Sequence, residues 1–336
     1  MKAIVLSALG QVDLVDVPVP DIQADEMLIQ TGAATICTSD LNDIRENPFG
    51  MTLPVGMGHE ASGTVARVGS AVRGFRLGDR VSTHPVHPCG QCQACREGLS
   101  HLCLNWKHLG VNMPGTFAEY YLVRQDRARH IPDDLDFAVA ALAEPVSVCL
   151  EALAQARLSP GNNLLVIGDG PFGVLMTRLA ENLGLNKVVI AGYFDERQAF
   201  ARQAIRVNTH AVADAVQAMR APIGGEGYDA AILAVSSRKA FSDGLKCLKP
   251  RGRLVAFSAL PGETPVDLLW LHLKELEIIG ACSDQDRYDE AVTMLTDPSL
   301  GLAELITHRF KLEEFRQALQ QADAGKEHAM KVALIP

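Results

Sequence analysis

The run from residue 164 to 183 constrains this chain more tightly than any other. A short apolar stretch, Leu164-Leu165-Val166-Ile167, leads directly into Gly168-Asp169-Gly170-Pro171-Phe172-Gly173, and residues 172–183 follow with helical spacing. A strand that turns through closely spaced glycines into a helix has few folds open to it. Gly168 permits the tight turn, Gly170 permits close approach of a pyrophosphate, and Gly173 permits close packing of helix on strand. The unpaired N–H groups and the dipole at the helix start favour an anion there. Apolar runs at 187–191, 229–235, 253–258 and 276–282 read as further strands, with helix-like segments at 149–156, 196–205 and 238–248. Such alternation implies a parallel sheet covered on both faces.

Residues 148–284 are therefore expected to form an α/β Rossmann dinucleotide-binding domain, with Gly168, Gly170, Pro171, Phe172 and Gly173 at its phosphate site. The second strand of such a fold ordinarily ends in an acid that bonds the adenosine ribose. Here that position holds Gly192, with Asp195 and Arg197 shortly after. Gly192 with Arg197 fits a 2′-phosphate and hence NADP, whereas Asp195 reaching back fits NAD, so both cofactors stay open. Asp169 is an unusual neighbour for an anion unless its side chain points away.

Upstream the pattern is β-rich and irregular. Residues 2–6, 27–30, 63–68 and 118–123 read as strands punctuated by Gly and Pro clusters. After residue 284 come helix-like segments at 286–296 and 312–322, then a strand at 330–335. Residues 1–147 and 285–336 are expected to form one β-rich domain. The chain has 336 residues, a formal net charge of −9 and a pI near 5.6, which disfavours nucleic acid or an anionic membrane as partner. The first residues lack the features of a signal peptide, and no run approaches the roughly 20 apolar residues of a membrane helix. A cytoplasmic protein is expected, where thiols stay reduced, and the eight cysteines then call for an explanation other than disulfides.

Four of them supply it. Cys89, Cys92, Cys95 and Cys103 follow the pattern C-x2-C-x2-C-x7-C, which suits a closed tetrahedral zinc site. The short spacers let a turning backbone aim successive sulfurs at one ion, the longer one closes the loop, and Gly90 and Gly98 permit the turns. The spacings differ from common ferredoxin patterns. Cys149, Cys247 and Cys282 stand alone and are expected to be buried structural thiols.

A second constellation is dispersed. Cys37-Thr38-Ser39-Asp40 is followed by Gly58-His59-Glu60 and, much later, Ala143-Glu144-Pro145. Together these offer a thiolate, an imidazole and carboxylates, a set suited to catalytic zinc with an open position. The order of these elements, with the four-cysteine loop, Gly115-Thr116-Phe117-Ala118-Glu119-Tyr120 and the glycine turn following, resembles the zinc-dependent medium-chain alcohol dehydrogenases, in particular the sorbitol and threonine dehydrogenase branch.

That resemblance covers nearly the whole chain. It implies a β-rich GroES-like catalytic domain, two zinc ions per chain (one catalytic, one structural), NAD or NADP, and a homodimer or homotetramer. Cys37 and His59 match zinc ligands, and Glu60 and Glu144 match carboxylates that coordinate zinc in that branch. Ser39 matches the hydroxyl that takes the substrate proton, and Asp40 a structural or orienting group. Many relatives carry a proton-releasing His where this chain has Asn42, which cannot titrate near neutral pH. His84, His87 and His108 are expected to be surface or structural. The implied reaction passes hydride between a secondary alcohol (a polyol, sugar acid or hydroxy acid) and NAD(P). The rivals are an NADP-dependent reductase of aldehydes or simple alcohols, and a cofactor-binding protein without catalysis.

Overall fold

A computed structural model of the chain describes residues 1–48, 50–324 and 328–336. These divide into two units, Met1–Ser147 with Gln285–Pro336, and Val148–Asp284.

The first unit is built around the strand Glu26–Thr35, which is buried along most of its length. It pairs antiparallel with Glu60–Val68, Tyr120–Arg124 and Lys331–Ile335. Arg80–Thr83 and Ala128–His130 extend the sheet on one side, and Ile306–Lys311 extends it on the other. Ile4, Leu6, Met27, Ile29, Phe117, Tyr121, Val332 and Leu334 meet in its core. Two pairings bring distant parts of the chain together: Thr35 lies opposite Glu60 on one side and opposite Ala333 on the other. Cross-strand partners share a face and residues two apart point the same way. Glu60, Thr35 and Lys331 therefore project together.

The second unit is a six-stranded parallel sheet of β1 (Asn163–Ile167), β2 (Lys187–Gly192), β3 (Ile205–Asn208), β4 (Tyr228–Leu233), β5 (Leu248–Ala256) and β6 (Glu277–Gly280). Their order is 3-2-1-4-5-6, the doubly wound arrangement of the Rossmann fold. β1, β2 and β4 are almost wholly buried, as strands covered on both faces must be.

Several elements differ from the sequence reading. The helix expected at 196–205 stops early: Asp195–Gln198 passes through a 3₁₀ turn, Arg202 takes a φ of 49°, and β3 begins at Ile205. β3 escapes a hydropathy reading because its first two residues are exposed. Helix Leu268–Lys274, capped by Asp267, and strand Ile306–Lys311 also carry no clear periodicity. Contrary to expectation, the helical stretch Phe137–Gln155 is long and apolar enough to cross a membrane, with a mean hydropathy of 1.7. Some 83% of that window is buried within the protein, so its apolarity serves the core.

Candidate metal centres and dinucleotide turn

The first centre begins at a helix start. Cys37 is the N-cap of Thr38–Glu46. The carboxylate of Asp40, three residues on, accepts the Cys37 N–H at 2.8 Å and so fixes the turn that carries the thiol. Its other oxygen lies 3.2 Å from His59 Nδ1, orienting the imidazole in the manner of a carboxylate behind a metal-binding histidine. Burial opposes charge on His59, but the Asp40 carboxylate and the Cys37 hydrogen bond outweigh it and hold its pKa well above the ordinary value. Burial and the Glu60 charge push the Cys37 thiol up.

Donor atoms of Cys37, His59 and Glu60 all lie within 4.8 Å of one another, and all three residues are buried. A borderline-soft ion with nitrogen, sulfur and oxygen ligands, such as zinc, fits that set. Glu60 is otherwise engaged. Both of its oxygens accept from Lys331 Nζ, one at 2.6 Å, and Thr35 Oγ1 donates to it as well. Burial works against the Lys331 ammonium, but the charges of Glu60 and Cys37 keep its pKa above the usual value. Glu144, in the first turn of Ala143–Gln155, is not one of the three clustered donors; its charge acts on Lys331. Ser39 is partly exposed in the same first helical turn as Asp40.

Sequence reasoning missed two members of this neighbourhood. Lys331 lies 271 residues from Glu60, and only strand register brings them together. His108 stands edge-on to His59 with ring centroids 5.5 Å apart, and its pKa falls to about 3 through burial and the charge of His59. His84 and His87 are buried as well. Burial, then the nearby Arg124, lowers His87 to about 3.

The second centre gathers Cys89, Cys92, Cys95 and Cys103, again with all sulfurs within 4.8 Å of one another. Cys92 Sγ is 3.5 Å from that of Cys95 and 3.8 Å from that of Cys103. A tetrahedron of zinc–sulfur bonds near 2.3 Å requires sulfurs about 3.8 Å apart, so the loop is shaped for the ion. Gly90 and Gly98 take φ of 72° and 76° at its turns. The backbone N–H groups of Cys89 and Asn105 donate to Cys103 Sγ at 3.2 and 3.3 Å. Backbone hydrogen bonds at Gln91 and Cys92 pull the Cys89 thiol down to about 6, whereas burial and the neighbouring Cys92 and Cys103 push the Cys95 thiol up to about 11. Cys149 and Cys247 are buried as expected, whereas Cys282 is exposed because it lies just past the end of β6.

In the glycine turn, Gly168 has a φ of 129°, and a Cβ there would lie 2.5 Å from Ala234 O. A Cβ on Gly173 would fall 1.9 Å from Gly168 O, so the helix approaches the strand too closely for any side chain. Gly170 faces open space and caps helix Pro171–Ala180, whose first residue is proline. Phe172 packs on Phe257, with centroids 5.1 Å apart. Asp195 opens its short helix and accepts from Asn208 Nδ2 at 2.9 Å. Arg197, two residues on, is half-buried. Asp169 points to the end of β2 and not toward the helix start.

Comparison with known proteins agrees with this arrangement. Residues 23–133 match the alcohol dehydrogenase GroES-like domain, and residues 171–297 match the zinc-binding dehydrogenase family. Sorbitol dehydrogenase of Bacillus subtilis (strain 168) is 31% identical over 100% of this chain and 97% of its own. An L-threonine 3-dehydrogenase of Anaeromyxobacter dehalogenans (strain 2CP-C) is 33% identical over 93% of this chain and 92% of its own. Galactitol-1-phosphate dehydrogenase from Escherichia coli superposes with a TM-score of 0.91 at 27% identity, covering 100% of each chain. Similar solved structures hold NADP or NADH. The chain belongs to the zinc-dependent medium-chain alcohol dehydrogenases and is an NAD(P)-linked oxidoreductase of that family.

Proposed function

We propose that the chain oxidises a secondary alcohol of a polyol, sugar acid or related hydroxy acid to the ketone, and reduces the ketone in reverse. The observation that carries this reading is the buried donor set of Cys37, His59 and Glu60, in which a carboxylate joins the thiol and imidazole. Residues 1–147 and 285–336 act as the catalytic domain and residues 148–284 as the dinucleotide domain. Cys37 and His59 hold the catalytic zinc, with Glu60 or Glu144 supplying the carboxylate, and Cys89, Cys92, Cys95 and Cys103 hold the structural one.

When bound, zinc supplies a Lewis acid for the substrate oxygen and the nicotinamide accepts the hydride. The chain's own residues do the rest. Asp40 keeps the His59 ring nitrogen aimed inward, and Lys331 with Thr35 fixes the Glu60 carboxylate. Ser39 receives the substrate proton at Oγ, and Asn42 cannot carry it further, so water or the cofactor takes it on. Gly168, Gly170, Pro171, Phe172 and Gly173 bring the pyrophosphate against the helix start, with Gly192, Asp195 and Arg197 at the adenosine end.

The substrate is a small molecule met in the cytoplasm. We further propose that the protein works as a homodimer, or as a homotetramer of such dimers, joined through β6. That strand ends the sheet, and Leu268, Leu269 and Leu273, on the helix that precedes it in sequence, are 66–69% exposed. A panel of polyols, sugar acids and hydroxy acids, assayed with NAD and NADP in parallel and with zinc counted per chain, tests the reading. Turnover of a polyhydroxylated substrate with two zinc ions per chain is expected. Turnover confined to aldehydes or simple alcohols would overturn the substrate class, and one zinc per chain would overturn the catalytic centre.

A further inference from the structure

Asp169 occupies an unexpected place. The residue is 8% exposed, and its carboxylate reaches across to the end of β2. There Oδ2 accepts the backbone N–H groups of Tyr193 at 2.6 Å and Phe194 at 2.7 Å. β2 itself ends in Gly192, and a Cβ built at that position would lie 2.3 Å from the same oxygen. The two positions are therefore coupled. A side chain at 192 and a carboxylate at 169 compete for one slot, and in this chain the turn fills it while the strand leaves it empty.

That slot has a known use in sheets of this winding. The adenosine ribose lies over the end of the second strand, where an acid accepts from its 2′-hydroxyl; a 2′-phosphate needs donors and positive charge instead. Two successive backbone N–H groups at a strand end are such donors, but here a carboxylate already claims both. A 2′-phosphate would have to displace Asp169 or face its charge at close range. Arg197, the candidate partner for that phosphate, is half-buried: burial lowers its pKa, and the Asp169 charge offsets part of that effect.

We infer that Asp169, from within the glycine turn, sets the cofactor preference of this chain toward NAD, taking the place of the strand-end acid that Gly192 lacks. The inference rests on the reading of residues 168–173 as a dinucleotide site, and it is independent of the alcohol substrate. Equilibrium titration of the zinc-loaded protein with NADH and NADPH, followed by nicotinamide fluorescence without any alcohol, tests it. Like-charge juxtaposition costs several kcal/mol, so the wild type should bind NADPH about 100-fold or more weakly than NADH.

Asp169→Asn keeps the shape and removes the charge; it should narrow the ratio at least about 10-fold, mainly by tightening NADPH. Asp169→Ser is a second variant with the same expected direction. Gly192→Asp alone should weaken NADH, because two carboxylates then contend for one slot. Combining Gly192→Asp with Asp169→Ser should restore NADH binding and its preference, the acid having moved from turn to strand. An NADPH preference in the wild type would overturn the inference, as would a ratio unmoved in both folded Asp169 variants. Failure of the wild type to bind either nucleotide would overturn the dinucleotide reading as well.

Discussion

Asp43 illustrates how much a single buried acid contributes here. It lies on the same helix as Asp40, is 4% exposed, and its Oδ1 has no hydrogen-bond partner. Burial, then the Asp40 charge, pushes its carboxyl up to about 7 from an ordinary 3.8. Between those values the folded chain keeps a proton that the unfolded chain has released. The stability this group contributes is therefore full below about pH 4 and is lost as pH rises through 7. Asp43→Asn should make the protein more stable than the parent at pH 8, by about 1 kcal/mol or more, and little different at pH 4, as measured by urea unfolding. Equal denaturation midpoints at pH 8 would refute the assignment of a buried, protonated Asp43. Ser39 makes a different prediction. Ser39→Ala should lower kcat by about 10²–10⁴-fold while leaving zinc content unchanged, as the loss of a proton acceptor would; wild-type turnover would remove the serine from the mechanism. Among site residues, Cys37, His59 and Glu60 were legible because each sits in a short motif. Lys331 was not: a lysine in Lys331–Ile335 reads as a solvated strand end until register places it against Glu60.

At the scale of elements, legibility followed burial. The strands β1, β2 and β4, covered on both faces, announce themselves as apolar runs, whereas β3 exposes its first two residues and helix Leu268–Lys274 exposes four of its seven, and neither leaves a pattern. The four-cysteine loop was legible for another reason: it depends on a metal and hardly at all on a core, so its spacing alone describes it. None of its four cysteines but Cys103 is buried. Cys92→Ser should therefore lower zinc content by about one ion per chain and reduce thermal stability, because binding energy at such a site is folding energy. Retention of full zinc by elemental analysis would count against the loop as a metal site. The cofactor turn depends on sterics instead. Gly173→Ala forces a Cβ to 1.9 Å from Gly168 O; NADH binding should be abolished and unfolding should come at a lower temperature, both accessible by fluorescence and calorimetry.

For the whole molecule, the decisive fact is that the first unit is assembled from two separated stretches of sequence, while the second is continuous. The sequence reading expected two units from the switch between irregular β patterning and strand–helix alternation. It could not say which strands of the second stretch complete the first unit's sheet, since pairing depends on long-range register. The Glu60–Lys331 pair is the chemical seam between those stretches. Removing one member of a buried pair strands the other, at about 3–5 kcal/mol, so Lys331→Met should sharply destabilise the protein, and Lys331→Met with Glu60→Gln should recover much of the loss. A double variant no more stable than Lys331→Met would refute the pairing.

That seam also bears on biosynthesis. The ribosome delivers Glu60 long before it delivers Lys331, 271 residues later. At about 5–20 residues per second the carboxylate waits roughly 14–54 s for its counterion. During that interval the continuous unit can fold to completion, while the sheet that carries Cys37 and His59 still lacks its neighbouring strand. The residues of the nucleotide fold thus all emerge before the strand that completes the metal pocket's sheet.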